Sequence, residues 1–239
     1  MKLDVLAIGA HPDDIELTCS GTLIKMVGQG RKVGILDLTE GELGTRGNKK
    51  IRAREAAAAA SLIGVTVRQN LGLPDGNIEN TLKNRLKIVR VLRALRPEIL
   101  LLPYSVDRHP DHEHAHRLGR EAWFLSGLEK VGTTHRGRSQ EPFRPRAYYY
   151  YMQWHEFEPS FIVDVTAQYE RRLEVVKAFR SQFYDPANKE RETILSTPEF
   201  LDRIRTRLEY YGDKIGTTYG EPFGSPKALR IDDLFTLNS

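Results

Sequence analysis

A single cysteine, Cys19, stands among 239 residues, so no disulfide can close within the chain and no CxxC or Cys-rich zinc motif is available. Long hydrophobic runs are missing too. The opening stretch, MKLDVLAIGAHPDD, has an apolar run of only about six residues, too short for a signal peptide and far too short to span a bilayer. Charge of one sign is nowhere gathered: 36 Lys and Arg are interspersed with 32 Asp and Glu, for a net charge of +4. The pI near 9.1 suits an anionic small substrate but leaves a weak footprint for nucleic acid. A GxGxxG turn is also lacking. The turn after the first apolar run reads GAHPDD, with two acids where a dinucleotide's pyrophosphate needs bare backbone N–H groups, which argues against a nucleotide binder. These absences predict a soluble, cytoplasmic protein with neither a nucleic-acid nor a membrane partner.

What is present is an alternation of strand and helix. Apolar runs at 3–9, 32–38, 66–71 and 98–104 each precede a helical pattern, at Ile15 to Gln29, 52–64, 80–95 and 112–125. Ala56 to Ala60 is a run of the best helix former, while Leu82, Leu86, Val89 and Arg93 fall on one helix face. Gly64 and Pro97 mark two helix ends. Four βα units in series predict an α/β fold, Rossmann-like and doubly wound, its mainly parallel sheet covered by helices on both faces. After residue 126 the rhythm changes to a polar loop at 130–146, strands at 147–154 and 160–165, helices at about 167–184 and 198–211, and a loop-like tail. With no repeat and no low-complexity linker, residues 1–239 are expected to form one domain: a βα core over 1–126 and C-terminal strands, helices and loops over 127–239.

Two short runs carry chemistry, AHPDDIE at 10–16 and RHPDHEHAH at 108–116. The first offers His11, Asp13, Asp14 and Glu16; the second offers His109, Asp111, His112, Glu113, His114 and His116. Imidazole nitrogen and carboxylate oxygen are the ligands of Zn²⁺ and related cations, and a catalytic site keeps three of them with a position left for water. A plainer reading makes HPDD a turn with a helix cap and HEHAH a solvated helix start. It leaves the recurrence of His-Pro-Asp unexplained. His112 and His116, four apart, offer another chelating pair on one helix face. With strand order 3-2-1-4 the first and fourth strands are neighbours, and the chain leaves them toward opposite faces, so both runs should meet at the crevice between their carboxyl ends.

AHPDD after the first strand, GTL at 21–23, Arg52 to Glu55 as RxxE, LPDG at 73–76 and HPDH at 109–112 together resemble the PIG-L/LmbE family of zinc-dependent N-acetylglucosaminyl deacetylases, in order over residues 3–125. SQF at 181–183 and YGEPF at 219–223 look most like its bacillithiol-biosynthesis members, which act on N-acetylglucosaminyl malate. One departure is Ser20-Gly21, where the family usually carries Gly-Gly. The resemblance implies that His11, Asp14 and His112 bind Zn²⁺, and such a set tolerates Fe²⁺. It implies Asp13 as general base, His109 as oxyanion stabiliser or acid with Asp111 holding its tautomer, and Arg52 and Asp75 on the substrate side. Arg52, with its bidentate fork, is suited to the malyl carboxylates. The implied partner is a small N-acetylated amino sugar, and the implied assembly a homo-oligomer, up to a hexamer. Other N-acetylglucosaminyl substrates, a mycothiol precursor or a chitooligosaccharide, and a non-catalytic metal-binding protein stay open as alternatives.

Overall fold

The computed structural model describes residues 1–236. Its strands are β1 (Val5–Gly9), β2 (Val33–Thr39), β3 (Val67–Leu73), β4 (Ile99–Pro103), β5 (Thr134–His135), β6 (Arg138–Ser139), β7 (Ala147–Tyr151), β8 (Phe161–Asp164) and β9 (Gly220–Gly224). Its α-helices are α1 (Asp14–Thr18), α2 (Ser20–Gly28), α3 (Lys49–Ile63), α4 (Leu82–Leu95), α5 (Pro110–Ser126), α6 (Tyr169–Lys177) and α7 (Pro198–Asp213). Seven strands form one sheet in the order β3-β2-β1-β4-β7-β9-β8, and β5 and β6 pair as a small hairpin within the polar loop. The pairs β3-β2, β2-β1, β1-β4 and β4-β7 are parallel; β9 runs antiparallel to both its neighbours. This is the expected doubly wound α/β architecture, with strand order 3-2-1-4 at its heart.

The apolar runs are continuous because both sheet faces are covered. On one face Leu6, Ile8, Leu36 and Leu100 pack against Ile88, Leu92 and Leu118 of α4 and α5. On the other, Val5, Ala7, Ile35 and Leu101 pack against Leu23, Ala59 and Val175 of α2, α3 and α6. Helix ends follow local chemistry. Asn48 accepts from the N–H groups of Lys50 and Ile51 at the start of α3, and Gly64, at φ 86°, closes it. No helix among the described residues is long and apolar enough to cross a membrane.

Three expectations change. The helix expected from Ile15 to Gln29 is broken at Cys19 into α1 and α2. That expected over 167–184 ends as α6 at Lys177, after which the chain turns so that Ser181 meets Glu55 of α3 and Gln182 meets the Arg46 carbonyl. The tail read as loop supplies β9, inserted between β7 and β8. Gly220, Pro222 and Gly224 hide that strand from propensity; its burial in the sheet overrides them.

Candidate active site

The loop leaving β1 turns sharply, and Asp13 sits at φ 139° and ψ −22°, a region L-residues avoid at a cost of roughly 1–3 kcal/mol. Arg52 at the start of α3 over-determines it. Its guanidinium lies 2.9 Å from Asp13 Oδ2 and donates to the carbonyls of Pro12 (2.6 Å) and Gly41 (3.3 Å). Gly41, at φ 66°, approaches so closely that a Cβ there would run into the guanidinium. Arg52, expected on the substrate side, lines the cavity but spends both terminal nitrogens on these protein groups, and its buried Nε has no partner among the described residues. Burial, reinforced by neighbouring Asp14 and opposed by Arg52, raises the Asp13 pKa to about 7.

His11, Asp14 and His112 converge from the loops after β1 and β4, with one donor atom of each within 4.8 Å of the others. His112 Nε2 is 3.2 Å from Asp14 Oδ1, and His11 Nδ1 is 3.6 Å from Asp14 Oδ2. The His11 backbone N–H donates to that same Oδ2 at 2.8 Å, which folds the Asp14 carboxylate back over the turn. Two residues were not anticipated from the sequence. Asp107 accepts from His112 Nδ1 at 2.8 Å, so Nε2 faces the cavity, and it is itself held by the Trp154 N–H. Gln153 donates to Asp14 Oδ1 at 2.9 Å. Asp107 was legible in principle, two residues ahead of His109; Gln153, from beyond β7, carried no signal.

His109 caps α5. Its Nδ1 accepts the Asp111 N–H at 3.2 Å, so in the neutral ring the proton sits on Nε2, which has no partner among the described residues. Burial, with His11 and His112 beside it, lowers its pKa, so the ring stays a neutral N–H donor. Asp111, expected to hold the His109 tautomer, meets that ring through its backbone N–H. Its carboxylate accepts from the N–H groups of Gly76 (2.7 Å) and Ile78 (3.3 Å) and lies 3.4 Å from His11 Nε2; only its backbone touches His109. Asp75 lines the cavity as expected on the substrate side, yet its Oδ1 is 3.0 Å from His11 Nε2 and its Oδ2 accepts from the Leu43 N–H. Burial would raise its pKa, but His11 and that N–H hold it down at about 2. His114 is exposed and His116 points its Nδ1 at the Pro103 carbonyl, so neither joins the set.

The donors fit a divalent first-row cation. Two imidazoles and a carboxylate face one another, one imidazole is oriented by an outer carboxylate, and the buried Nε2 of His11 makes no well-aligned hydrogen bond with the nearby acids. A second grouping, His11 with His109 and Asp111, is equally compact, but its Nδ1 and carboxylate are already committed to backbone N–H groups. Without metal, charge balance falls to protons. Burial opposes it, but Asp111, Asp14 and Asp75 keep the His11 pKa well above the ordinary value, and Asp14 and Asp107 raise that of His112 to about 9. A cavity of about 620 Å³ opens over the site. The motifs at 52–55 and 181–183 meet beside it, where Glu55 accepts from the N–H and hydroxyl of Ser181, each at 2.7 Å.

A sequence model described as PIG-L, GlcNAc-PI de-N-acetylase, matches residues 6–123, the part of the chain that carries both loops. The diacetylchitobiose deacetylase of Thermococcus kodakarensis is 31% identical over 227 residues, covering 91% of this chain and 80% of the relative. Among solved structures, the conserved protein TT1542 of Thermus thermophilus superposes with a TM-score of 0.87 at 38% identity, over 97% of this chain and 98% of its own. The N,N'-diacetylchitobiose deacetylase of Pyrococcus horikoshii superposes with a TM-score of 0.78 at 27% identity, over 92% of this chain and 82% of its own. Paired His-Pro-Asp loops at the switch point of a doubly wound sheet, together with these similarities over nearly the whole length, identify the chain as a member of the PIG-L family.

Proposed function

We propose that this protein is a metal-dependent hydrolase that removes the N-acetyl group from an N-acetylglucosaminide, with N-acetylglucosaminyl malate, the bacillithiol precursor, as the substrate. The carrying observation is Asp13, strained and pinned by Arg52 at the edge of the His11, Asp14 and His112 cluster, with the free Nε2–H of His109 lining the same cavity. His11, Asp14 and His112 would hold the cation, Zn²⁺ or Fe²⁺, which when bound would supply Lewis acidity to the amide carbonyl and to water. Asp13 takes the proton from that water as its oxygen bonds to the carbonyl carbon. His109 donates from Nε2 to the carbonyl oxygen as negative charge builds there. The C–N bond then breaks, Asp13 returns its proton to the departing amine, and acetate remains. Arg52 keeps the Asp13 carboxylate aimed throughout.

A neutral disaccharide is the second reading, favoured by the similarity to a diacetylchitobiose deacetylase over 91% of the chain. Purified protein given a panel of N-acetylglucosaminides, malyl glycoside and diacetylchitobiose among them, should release free amine, lose that activity to a chelator and regain it with Zn²⁺ or Fe²⁺. No amine from any glycoside with metal loaded would leave a non-catalytic metal-binding protein.

A further inference from the structure

The cavity has two chemically distinct ends. At its floor every lining acid is already engaged: Asp13 with Arg52, Asp14 with His112 and Gln153, Asp75 with the Leu43 N–H, and Asp107 with His112 and the Trp154 N–H. At its mouth the lining is apolar and cationic. Helix α7 brings Phe200 and Ile204 there, together with Arg203 and Arg207, which lie one turn apart on one helix face. Arg207 is spent on the protein, donating to the backbone carbonyls of Gln153 and Trp154.

Arg203 makes no hydrogen bond or ion pair with any described residue. Acids are at hand on the same helix: Arg205 pairs with Asp202 at 3.2 Å and Glu209 at 3.7 Å. Arg203, itself exposed, lines the cavity instead. Arg108, which also lines it, lies over the Trp154 ring at 4.5 Å and pairs with no carboxylate among the described residues. An unpaired guanidinium at the cavity rim is free to take an anion, and its planar fork matches a carboxylate.

We propose that the mouth of the cavity is a subsite for the sugar's substituent, in which Arg203, beside the apolar wall of Phe200, Ile204 and Trp154, receives a carboxylate of that substituent. This rests on the N-acetylglucosaminide reading and adds to it the chemistry of the aglycone. Phenyl and 4-carboxyphenyl N-acetylglucosaminides serve as substrates for the metal-loaded enzyme, and the matching glucosaminides with free amines as ligands in titration calorimetry. The acidic member should be preferred about tenfold, in kcat/KM and in Kd, the size expected of one hydrogen bond to a charged group. That preference should fall to near unity in Arg203→Gln, invert in Arg203→Glu, and shrink in the wild type as salt is raised. A wild type indifferent to the carboxylate, or an Arg203→Gln variant with the ratio unchanged, would overturn the subsite. Amine release failing on both substrates while calorimetry keeps the preference would remove the hydrolase reading and leave the subsite standing.

Discussion

Asp13 holds φ at 139°, and its carboxylate is buried 2.9 Å from Arg52. Strain of that kind persists only where surrounding structure imposes it, and here the imposing groups are those of the proposed chemistry. Asp107 differs in kind: although it lines the cavity, its oxygens are taken by His112 and the Trp154 N–H, and it acts by fixing a ring. Replacing each by asparagine separates the two roles. Asp13→Asn should keep its zinc content and lose roughly 10²–10⁴ in kcat, as expected of a lost general base. Asp107→Asn should instead bind zinc about 10–100-fold more weakly. Metal analysis beside kinetics decides it; zinc lost from Asp13→Asn would make that residue a ligand. At this scale the pairing of the two runs was legible because His-Pro-Asp recurs after β1 and β4, while the choice of His11, Asp14 and His112 within them came from the family resemblance. The backbone partners of Arg52 and Asp111, Pro12 and Gly41 for one and Gly76 and Ile78 for the other, were not legible because they lie 11 to 40 positions away in sequence.

The elements around the site are tied together by buried ions. Glu221 on β9 accepts from the N–H groups of Gly21 (3.0 Å) and Thr22 (2.7 Å) at the start of α2 and from Arg172 of α6 (2.8 Å). One carboxylate thus satisfies a helix N-terminus and neutralises an arginine that is itself buried. A Cβ at Gly21 would meet that carboxylate, so the glycine at this position has a steric reason. Glu221→Gln leaves the Arg172 charge buried and uncompensated, and should cost about 3–5 kcal/mol in urea unfolding with little change in slope. A loss under about 1 kcal/mol, the size of an exposed pair, would show that the clamp contributes little. None of this was readable in YGEPF, which has a loop's composition; β9 exists because β7 and β8 leave a gap in the sheet that it fills.

For the whole molecule the electrostatics of the site become a dependence of stability on pH. The His112 pKa, pushed up to about 9 by Asp14 and Asp107 against its burial, exceeds the unfolded value near 6.5, so the folded metal-free protein binds the proton more tightly. Its contribution is complete below about pH 6.5 and is lost as pH rises through about 9. Metal binding has the opposite preference, since imidazole must be neutral to ligate. The stability of chelator-treated protein should therefore fall between pH 6 and 9, at up to roughly 1.4 kcal/mol per pH unit for each proton, lowering its Tm, while the gain in Tm from Zn²⁺ grows. A Tm gain that shrank over that range would count against His112 as a ligand. By itself the sequence determined the βα alternation, the parallel sheet order around β1 and the meeting of the two His-Pro-Asp loops, because periodicity and chain connectivity are local properties that topology converts into place. Tertiary structure alone decided which groups are free: Arg52 and Asp111 were claimed by backbone atoms, while Asp107, Gln153 and Arg203 came to the cavity, since what a polar side chain can do depends on who else has been brought within hydrogen-bond reach.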